Sequence, residues 1–108
     1  MSTAQAIISS EAHLLDLNWP LNAHWAEETV KSFKALADRG AKRIIVNMEN
    51  VPFIDSHGLA ALVTGAKLLG DDLKALSLDS PQAQARWFLG LTKFDKVFDI
   101  RDSFDKAK

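Results

Sequence analysis

The chain has 108 residues, of which 47% are hydrophobic and 25% are charged, and its formal net charge is −1. This composition is typical of a folded globular protein, and the length provides for one domain, residues 1–108, with one core. The balanced charge gives no net attraction to nucleic acid or anionic lipid, so no nucleic-acid partner is expected. Because the chain contains no cysteine, disulfides, thiol nucleophiles and thiolate metal sites are excluded.

The first ten residues lack the basic start and the long apolar stretch of a signal peptide. No apolar run in the chain approaches the roughly 18 residues of a membrane-spanning helix. We therefore expect a cytoplasmic protein that does not insert directly into a membrane. His13, His24 and His57 lack the spacing of metal ligands, and no glycine-rich phosphate-binding motif is present, so neither a metal ion nor a cofactor is expected.

The first predicted elements in chain order are two strands, residues 5–9 and 13–17, which are short apolar-rich runs at the spacing of a hairpin. Asn22 can then cap an amphipathic helix, because apolar residues follow it at intervals of three and four. Gly40 stands where a helix ends in the left-handed conformation. The continuous apolar run at 43–48 predicts the central strand of a sheet. The first half of the chain therefore has the order β-β-α-β.

Pro52 predicts a loop after this strand, since proline cannot donate a backbone hydrogen bond to a sheet. Residues 56–69 form the most apolar predicted helix, and Gly70 closes it. A short strand is then predicted at 74–78. This part of the chain therefore adds a second helix and a fourth strand.

The last predicted helix opens with Ser80 as its cap and Pro81 at its first position. It runs to about Leu89 and ends at Gly90, and a final strand follows at 97–100. The polar C-terminal segment can add one more helical turn or two. The complete order, β-β-α-β-α-β-α-β-(α), predicts an α/β fold with a mostly parallel sheet and an antiparallel edge strand.

The sequence Ile54-Asp55-Ser56-His57-Gly58-Leu59 stands where the loop meets the most apolar helix. With the strand before it and the small-residue helix after it, the stretch 44–70 resembles the signature of STAS domains, the anti-sigma factor antagonist family. The usual wording in that family is Asp-Ser-Ser-Gly-Leu or Asp-Ser-Thr-Gly-Leu. Residues 87–98 are similar to the family's third helix and last strand, so the resemblance covers nearly the whole chain. It implies the STAS fold, a four- or five-stranded mixed sheet with the helices mainly on one face.

The resemblance also implies a function, that of a phosphorylation-controlled binding module in a bacterial partner-switching system. In the family, the serine after the aspartate is phosphorylated by a partner that is both a serine kinase and an anti-sigma factor, with an ATP-binding kinase-like fold. A PP2C-type phosphatase removes the phosphate. By position, that serine is Ser56. The physical chemistry agrees, because a helix N-terminus favours negative charge, whereas the same charge in a partner interface weakens binding.

The expected partner-binding surface consists of the residues around Ser56 and a tryptophan from an earlier loop: Trp19, Phe53, Asp55, Ser56, His57, Gly58 and Leu59. Trp19 stands beside Pro20 in a loop, where its alternatives are packing over an end of the first helix or partial exposure as an anchor for a partner. Asp55 can steer a kinase or cap the helix. His57 replaces the second hydroxyl residue of the family, so the role of that hydroxyl does not carry over.

Two other classes of function compete with partner switching. A STAS adaptor could serve another assembly, such as a membrane transport complex or a control circuit for surface polysaccharide or biofilm. A small serine hydrolase would place Ser56 on a sharp strand-to-helix turn, with Gly58 two residues later. However, Ile54 occupies the position of the preceding glycine, and His57 points about 100° away from its neighbour on a helix. We therefore expect a binding protein without catalytic residues.

Overall fold

The computed structural model describes residues 4–7, 12–70 and 72–102. Its strands and helices are β1 (Ala4–Ile7), β2 (Ala12–Asp16), α1 (Ala26–Asp38), β3 (Arg43–Asn47), α2 (Ser56–Leu68), β4 (Leu76–Asp79), α3 (Ala83–Leu91) and β5 (Asp99–Arg101). The strands form one five-stranded sheet in the order β1-β2-β3-β4-β5. β1 is antiparallel to β2, and the later pairs are parallel. The predicted mixed α/β sheet is confirmed, and the predicted C-terminal helical turn lies outside the described residues.

The helices cover one face of the sheet. The strand order does not reverse between β2 and β5, and right-handed crossovers then place each connecting helix on the same side. On this side, Leu15, Val46 and Leu78 form one row across β2, β3 and β4, and all three are fully buried. Phe33 of α1 and Leu62 of α2 belong to the same hydrophobic core. The core therefore lies between the helices and the parallel strands.

The opposite face of the sheet carries polar pairs, because side chains alternate between the two faces of a strand. Asp16 and Asn47 are partners in the register of β2 and β3, and the Asn47 Nδ2 donates to Asp16 Oδ1 at 2.9 Å. Arg43 forms an ion pair with Asp99 of β5 at 3.0 Å. A slip of one residue would turn these groups into the core, so the polar face helps to define the strand register.

The three helices within the described residues are short, with 13, 13 and 9 residues. Asn22 is not the cap of α1, because Trp25 directly precedes the helix and the Asn22 Oδ1 accepts the Trp25 N–H at 3.1 Å before the helix begins. The C-terminal ends of α1 and α2 agree with the prediction: Gly40 and Gly70 follow them with φ angles of 93° and 123°. This left-handed conformation has no steric cost for glycine. Within the described ranges, none of the helices has the length and the apolar character that crossing a bilayer requires.

The strand predicted at 74–78 begins later than expected. Residues Leu73–Ala75 form a 3-10 turn, and β4 starts only at Leu76. The carboxylate of Asp72 accepts the backbone N–H of Lys74 at 3.0 Å and caps this turn. A local polar contact therefore replaces the first two residues of the predicted strand.

The ends of α3 also differ from the prediction. Ser80 is not its cap: this residue has a φ of 57°, and its N–H donates to the carbonyl of Arg101 at 3.0 Å. The helix begins two residues beyond Pro81, and Gly90 lies inside it rather than at its end. Lys93, with a φ of 67°, is the left-handed residue that follows the helix. The Ser80 N–H therefore pairs with the end of β5.

Candidate functional site

Ser56 is the first residue of α2, and the residue before it caps the helix. Asp55 is extended, and its Oδ1 accepts the backbone N–H groups of His57 at 2.9 Å and Gly58 at 3.1 Å. Two of the amides that lack a partner at every helix start are thus satisfied by one carboxylate. The Ser56 side chain is exposed, and its hydroxyl makes no hydrogen bond to any residue that the structure describes. Asp55 therefore serves the helix, whereas the Ser56 side chain faces solvent.

The loop at 51–55, here called the Ser56 loop, is held on one side by the connection between β2 and α1. Leu21 and Ile54 form an isolated parallel bridge. The N–H of Leu21 donates to the carbonyl of Phe53 at 2.9 Å, and the N–H of Asp55 donates to the carbonyl of Leu21 at 3.0 Å. Gly58 lies against the same residue, since a Cβ atom at position 58 would overlap the Leu21 carbonyl. This glycine is what allows the two chain segments to meet.

The start of α3 holds the Ser56 loop on its other side. The carboxamide of Gln84 accepts the N–H of Ile54 at 2.8 Å and donates to the carbonyl of the same residue at 3.0 Å. Nearby, the Nε2 of Gln82 donates to the carbonyl of Glu49 at 2.7 Å. Neither glutamine is predicted from the sequence, because no local motif distinguishes them from other polar residues near a helix start.

The residues predicted around Ser56 divide into an exposed and a buried set. Phe53 is 41% exposed, and Ser56 and His57 are also exposed. Asp55 is half-buried by its role as the cap. Gly58 and Leu59 are buried, and Leu59 belongs to the hydrophobic core. The side chains that another protein can reach directly are therefore those of the first three, which we call the Ser56 surface.

Trp19 corrects one of the predictions, because its side chain is only 4% exposed. Its Nε1–H donates to the hydroxyl of Thr29 at 2.9 Å, and its ring stacks on Trp25 with a centroid distance of 4.9 Å. Since both contacts lie at the beginning of α1, the alternative of packing over an end of the first helix is correct. Trp19 is thus unavailable as an exposed anchor and instead supports the loop that leads to Leu21.

A groove with a volume of about 410 Å³ runs between α1 and α2 from the Ser56 surface. His57 lines its end beside Ser56. Its other lining residues are small or aliphatic apart from one acid and one hydroxyl: Ala26, Glu27, Val30, Ala60, Ala61 and Thr64. The groove therefore extends the exposed region around Ser56 with mostly apolar surface.

Two large apolar side chains of α3 are also exposed. Trp87 is 61% exposed and Leu91 is 63% exposed, and they lie one helical turn apart. The residues between them are covered, since Phe88 packs against the core and Leu89 lies within it. The apolar pattern of the segment does not indicate which of these residues are exposed.

Among the residues that the structure describes, no histidine is hydrogen-bonded to the Ser56 hydroxyl. His13 lies on the core side of β2, in register with Ile44, and is buried. His57 is exposed, and its Nδ1 lies 3.7 Å from the Oδ1 of Asp55. Across the residues that the structure describes, no group of three or more histidines and acids is placed to hold a metal ion. What the site offers is an exposed hydroxyl on a well-held backbone.

A family match extends over nearly all of the chain. Residues 3–107 match the model of the STAS domain family. The chain belongs to the STAS domain family. The resemblance inferred from residues 44–70 and 87–98 is thereby confirmed.

Solved structures similar to this STAS domain cover nearly all of it. A Thermotoga maritima protein proposed to be an anti-sigma factor antagonist is 25% identical, with a TM-score of 0.84 over 97% of this chain and 90% of that chain. An anti-sigma factor antagonist from Mycobacterium paratuberculosis is 18% identical, with a TM-score of 0.82 over 98% and 89%. The Bacillus cell fate determinant SpoIIAA in its phosphorylated form is 17% identical, with a TM-score of 0.69 over 98% and 96%. This STAS domain thus resembles anti-sigma factor antagonists in fold.

Replacing Asp55 with alanine should destabilise this STAS domain by roughly 0.5 to 2 kcal/mol, the usual cost of losing an N-cap. The reason is that the amides of His57 and Gly58 would both lose their acceptor. Urea denaturation measures the effect. Asp72→Ala is the matched control, because Asp72 accepts only one amide, at the start of a three-residue turn. Equal stability of Asp55→Ala and the wild type would contradict the capping role.

Proposed function

We propose that this STAS domain is a phosphorylation-controlled binding module of a bacterial partner-switching system, in which it acts as an anti-sigma factor antagonist. Ser56 is the switch residue. The observation that carries the proposal is the position of its hydroxyl, which is exposed on the first residue of α2 while the preceding backbone is held by Leu21 and Gln84. A kinase can transfer phosphate only to a hydroxyl that it can reach, and the Ser56 side chain is exposed. The STAS fold also occurs in SpoIIAA in a phosphorylated form.

The charges around Ser56 explain how phosphorylation would act on binding rather than on folding. A phosphate adds about −1.5 to −2 charges. The amides of His57 and Gly58 already bond to the Asp55 carboxylate, so the phosphate would stand beside a second negative group instead of replacing it. Because Ser56 is exposed, water and salt screen this repulsion in the free domain. A partner that covers Ser56 would exclude the water and salt that screen the repulsion, and its surface would then contact the negative charges of both the phosphate and Asp55.

The partner is inferred to be a serine kinase that is also an anti-sigma factor. This STAS domain has no phosphate-binding motif, so the ATP must be bound by the partner, which accordingly has an ATP-binding kinase-like fold. To reach Ser56, the partner must close over the Ser56 surface, where Phe53 supplies an exposed aromatic contact. A PP2C-type phosphatase restores the binding form. The domain works in the cytoplasm and contributes no catalytic residue.

Mass spectrometry can test Ser56 as the switch. After a pull-down from the native cell with Ser56→Ala as bait, the captured kinase is incubated with ATP and each variant. We expect one phosphate on the wild type and none on Ser56→Ala. Thr64→Ala is the matched control, since Thr64 is an exposed hydroxyl residue of the same helix, and it should be phosphorylated normally. Phosphate on the Ser56→Ala variant would place the switch at another residue.

A parallel pull-down compares Ser56→Ala with Ser56→Asp. Partner switching requires that the two variants capture different sets of proteins. If both retain the same partners, the domain is a constitutive adaptor, for example in a membrane transport complex or in the control of surface polysaccharide or biofilm.

A further inference from the structure

Gln84 makes an unusual pair of contacts for a helix residue. Its side-chain carboxamide bonds to both backbone groups of Ile54, 30 positions earlier in the chain, accepting the N–H at 2.8 Å and donating to the carbonyl at 3.0 Å. Ile54 is 1% exposed, so water does not replace these bonds easily. The carboxamide therefore acts as a strand would, pairing with one residue through a donor and an acceptor.

These contacts complete the pairing of the Ser56 loop. On one side, the backbone of Leu21 bonds to the carbonyl of Phe53 and to the N–H of Asp55. On the other side, Gln84 takes both groups of Ile54. Backbone groups of the three residues directly before Ser56 are thus paired: those of Phe53 and Asp55 with Leu21, and those of Ile54 with Gln84. Only the Ile54 pair depends on a single side chain.

We propose that Gln84 is a positioning residue for Ser56: by pairing with Ile54 it holds the backbone that sets where the Ser56 hydroxyl is presented. The inference rests on the proposed function in one respect: the expected effect of Gln84 is on the rate at which Ser56 is phosphorylated. Gln84 need not touch the kinase or the hydroxyl. It acts through the Ile54–Asp55 backbone and the cap that Asp55 forms on α2.

Gln84→Met tests the proposal, since methionine keeps the length and approximate volume of glutamine but cannot pair with Ile54. Gln82→Met is the matched control, because Gln82 also bonds to a loop carbonyl, that of Glu49, but not to the Ser56 loop. Hydrogen exchange, followed by NMR on the free domain, should show at least tenfold faster exchange of the Ile54 amide in Gln84→Met. The Gln82→Met variant should exchange at the wild-type rate there. Amides of β3 report any general loss of stability in either variant.

Phosphorylation kinetics supply the second measurement, with the kinase captured by the Ser56→Ala pull-down. We expect kcat/KM for Ser56 to fall at least tenfold in Gln84→Met and to be unchanged in Gln82→Met. Gln84→Glu keeps an acceptor for the Ile54 N–H but loses the donor, so its exchange and kinetics should lie between the wild type and Gln84→Met. This variant also decides the question if Gln84→Met does not fold.

Two results would overturn the inference: an unchanged Ile54 exchange rate in Gln84→Met, or faster exchange with unchanged phosphorylation. Failure of the proposed function has a different signature. In that case the wild type is not phosphorylated at Ser56, while the exchange experiment, which needs no kinase, still determines whether Gln84 holds the loop.

Discussion

Gly58→Ala should destabilise the domain by roughly 2 kcal/mol or more, near the upper part of the usual range for overpacking. On helix propensity alone the change should stabilise α2, because alanine is better than glycine by about 1 kcal/mol. A tertiary contact determines that the net change in the free energy of unfolding is a loss. A Cβ atom at position 58 would overlap the backbone carbonyl of Leu21, which accepts the N–H of Asp55. Relieving the overlap requires Leu21 to move and the Ser56 loop to lose that bond.

Gly90→Ala is the matched control for this prediction. Gly90 also lies within a helix, but a Cβ atom there would be 3.6 Å from the Oδ2 of Asp95, an ordinary contact. The higher helix propensity of alanine should therefore be the main effect, and it should stabilise the Gly90→Ala variant by up to about 1 kcal/mol. Urea denaturation of both variants gives the comparison. If Gly58→Ala were as stable as Gly90→Ala, the close approach of Leu21 to α2 would be wrong.

The fold could be predicted wherever neighbouring residues determine the structure. The apolar run at 43–48 becomes β3, and Gly40 and Gly70 follow their helices in the left-handed conformation. These features depend on periodicity and on the backbone freedom of single residues. The errors occur where a distant contact decides. Ser80 has a favourable sequence for a helix cap, yet its N–H pairs with Arg101, which is remote in sequence but adjacent in the sheet.

The candidate site shows the same division. The position of Ser56 at the start of α2 follows from the local pattern and the family motif. The burial of Trp19 does not, because its hydrogen bond partner, Thr29, comes from α1. Gln84 reaches Ile54 only because α3 returns beside the Ser56 loop. A single sequence contains the residues of such contacts but gives no indication of which of them meet.

Ser56→Asp should weaken the complex with the captured kinase at least tenfold, which corresponds to about 1.4 kcal/mol. The new carboxylate would stand next to Asp55, whose charge is already committed to the amides of His57 and Gly58. Covering both acids without a counter-charge can cost several kcal/mol, so tenfold is the lower limit. Ser56→Ala adds no charge and removes no hydrogen bond to a described residue, so it should bind nearly as the wild type does. Calorimetric titration measures all three affinities.

A control variant tests whether weaker binding requires the new carboxylate at position 56 or only one more negative charge on the domain. Ala35 is exposed on α1, nine residues beyond Ala26, which lines the groove beside the Ser56 surface. Nine residues correspond to about 13 Å along a helix, more than one Debye length at physiological ionic strength. Ala35→Asp should therefore bind like the wild type although its net charge equals that of Ser56→Asp. If Ser56→Asp also bound like the wild type, release by charge at Ser56 would have to be abandoned, because phosphate acts there through the same repulsion.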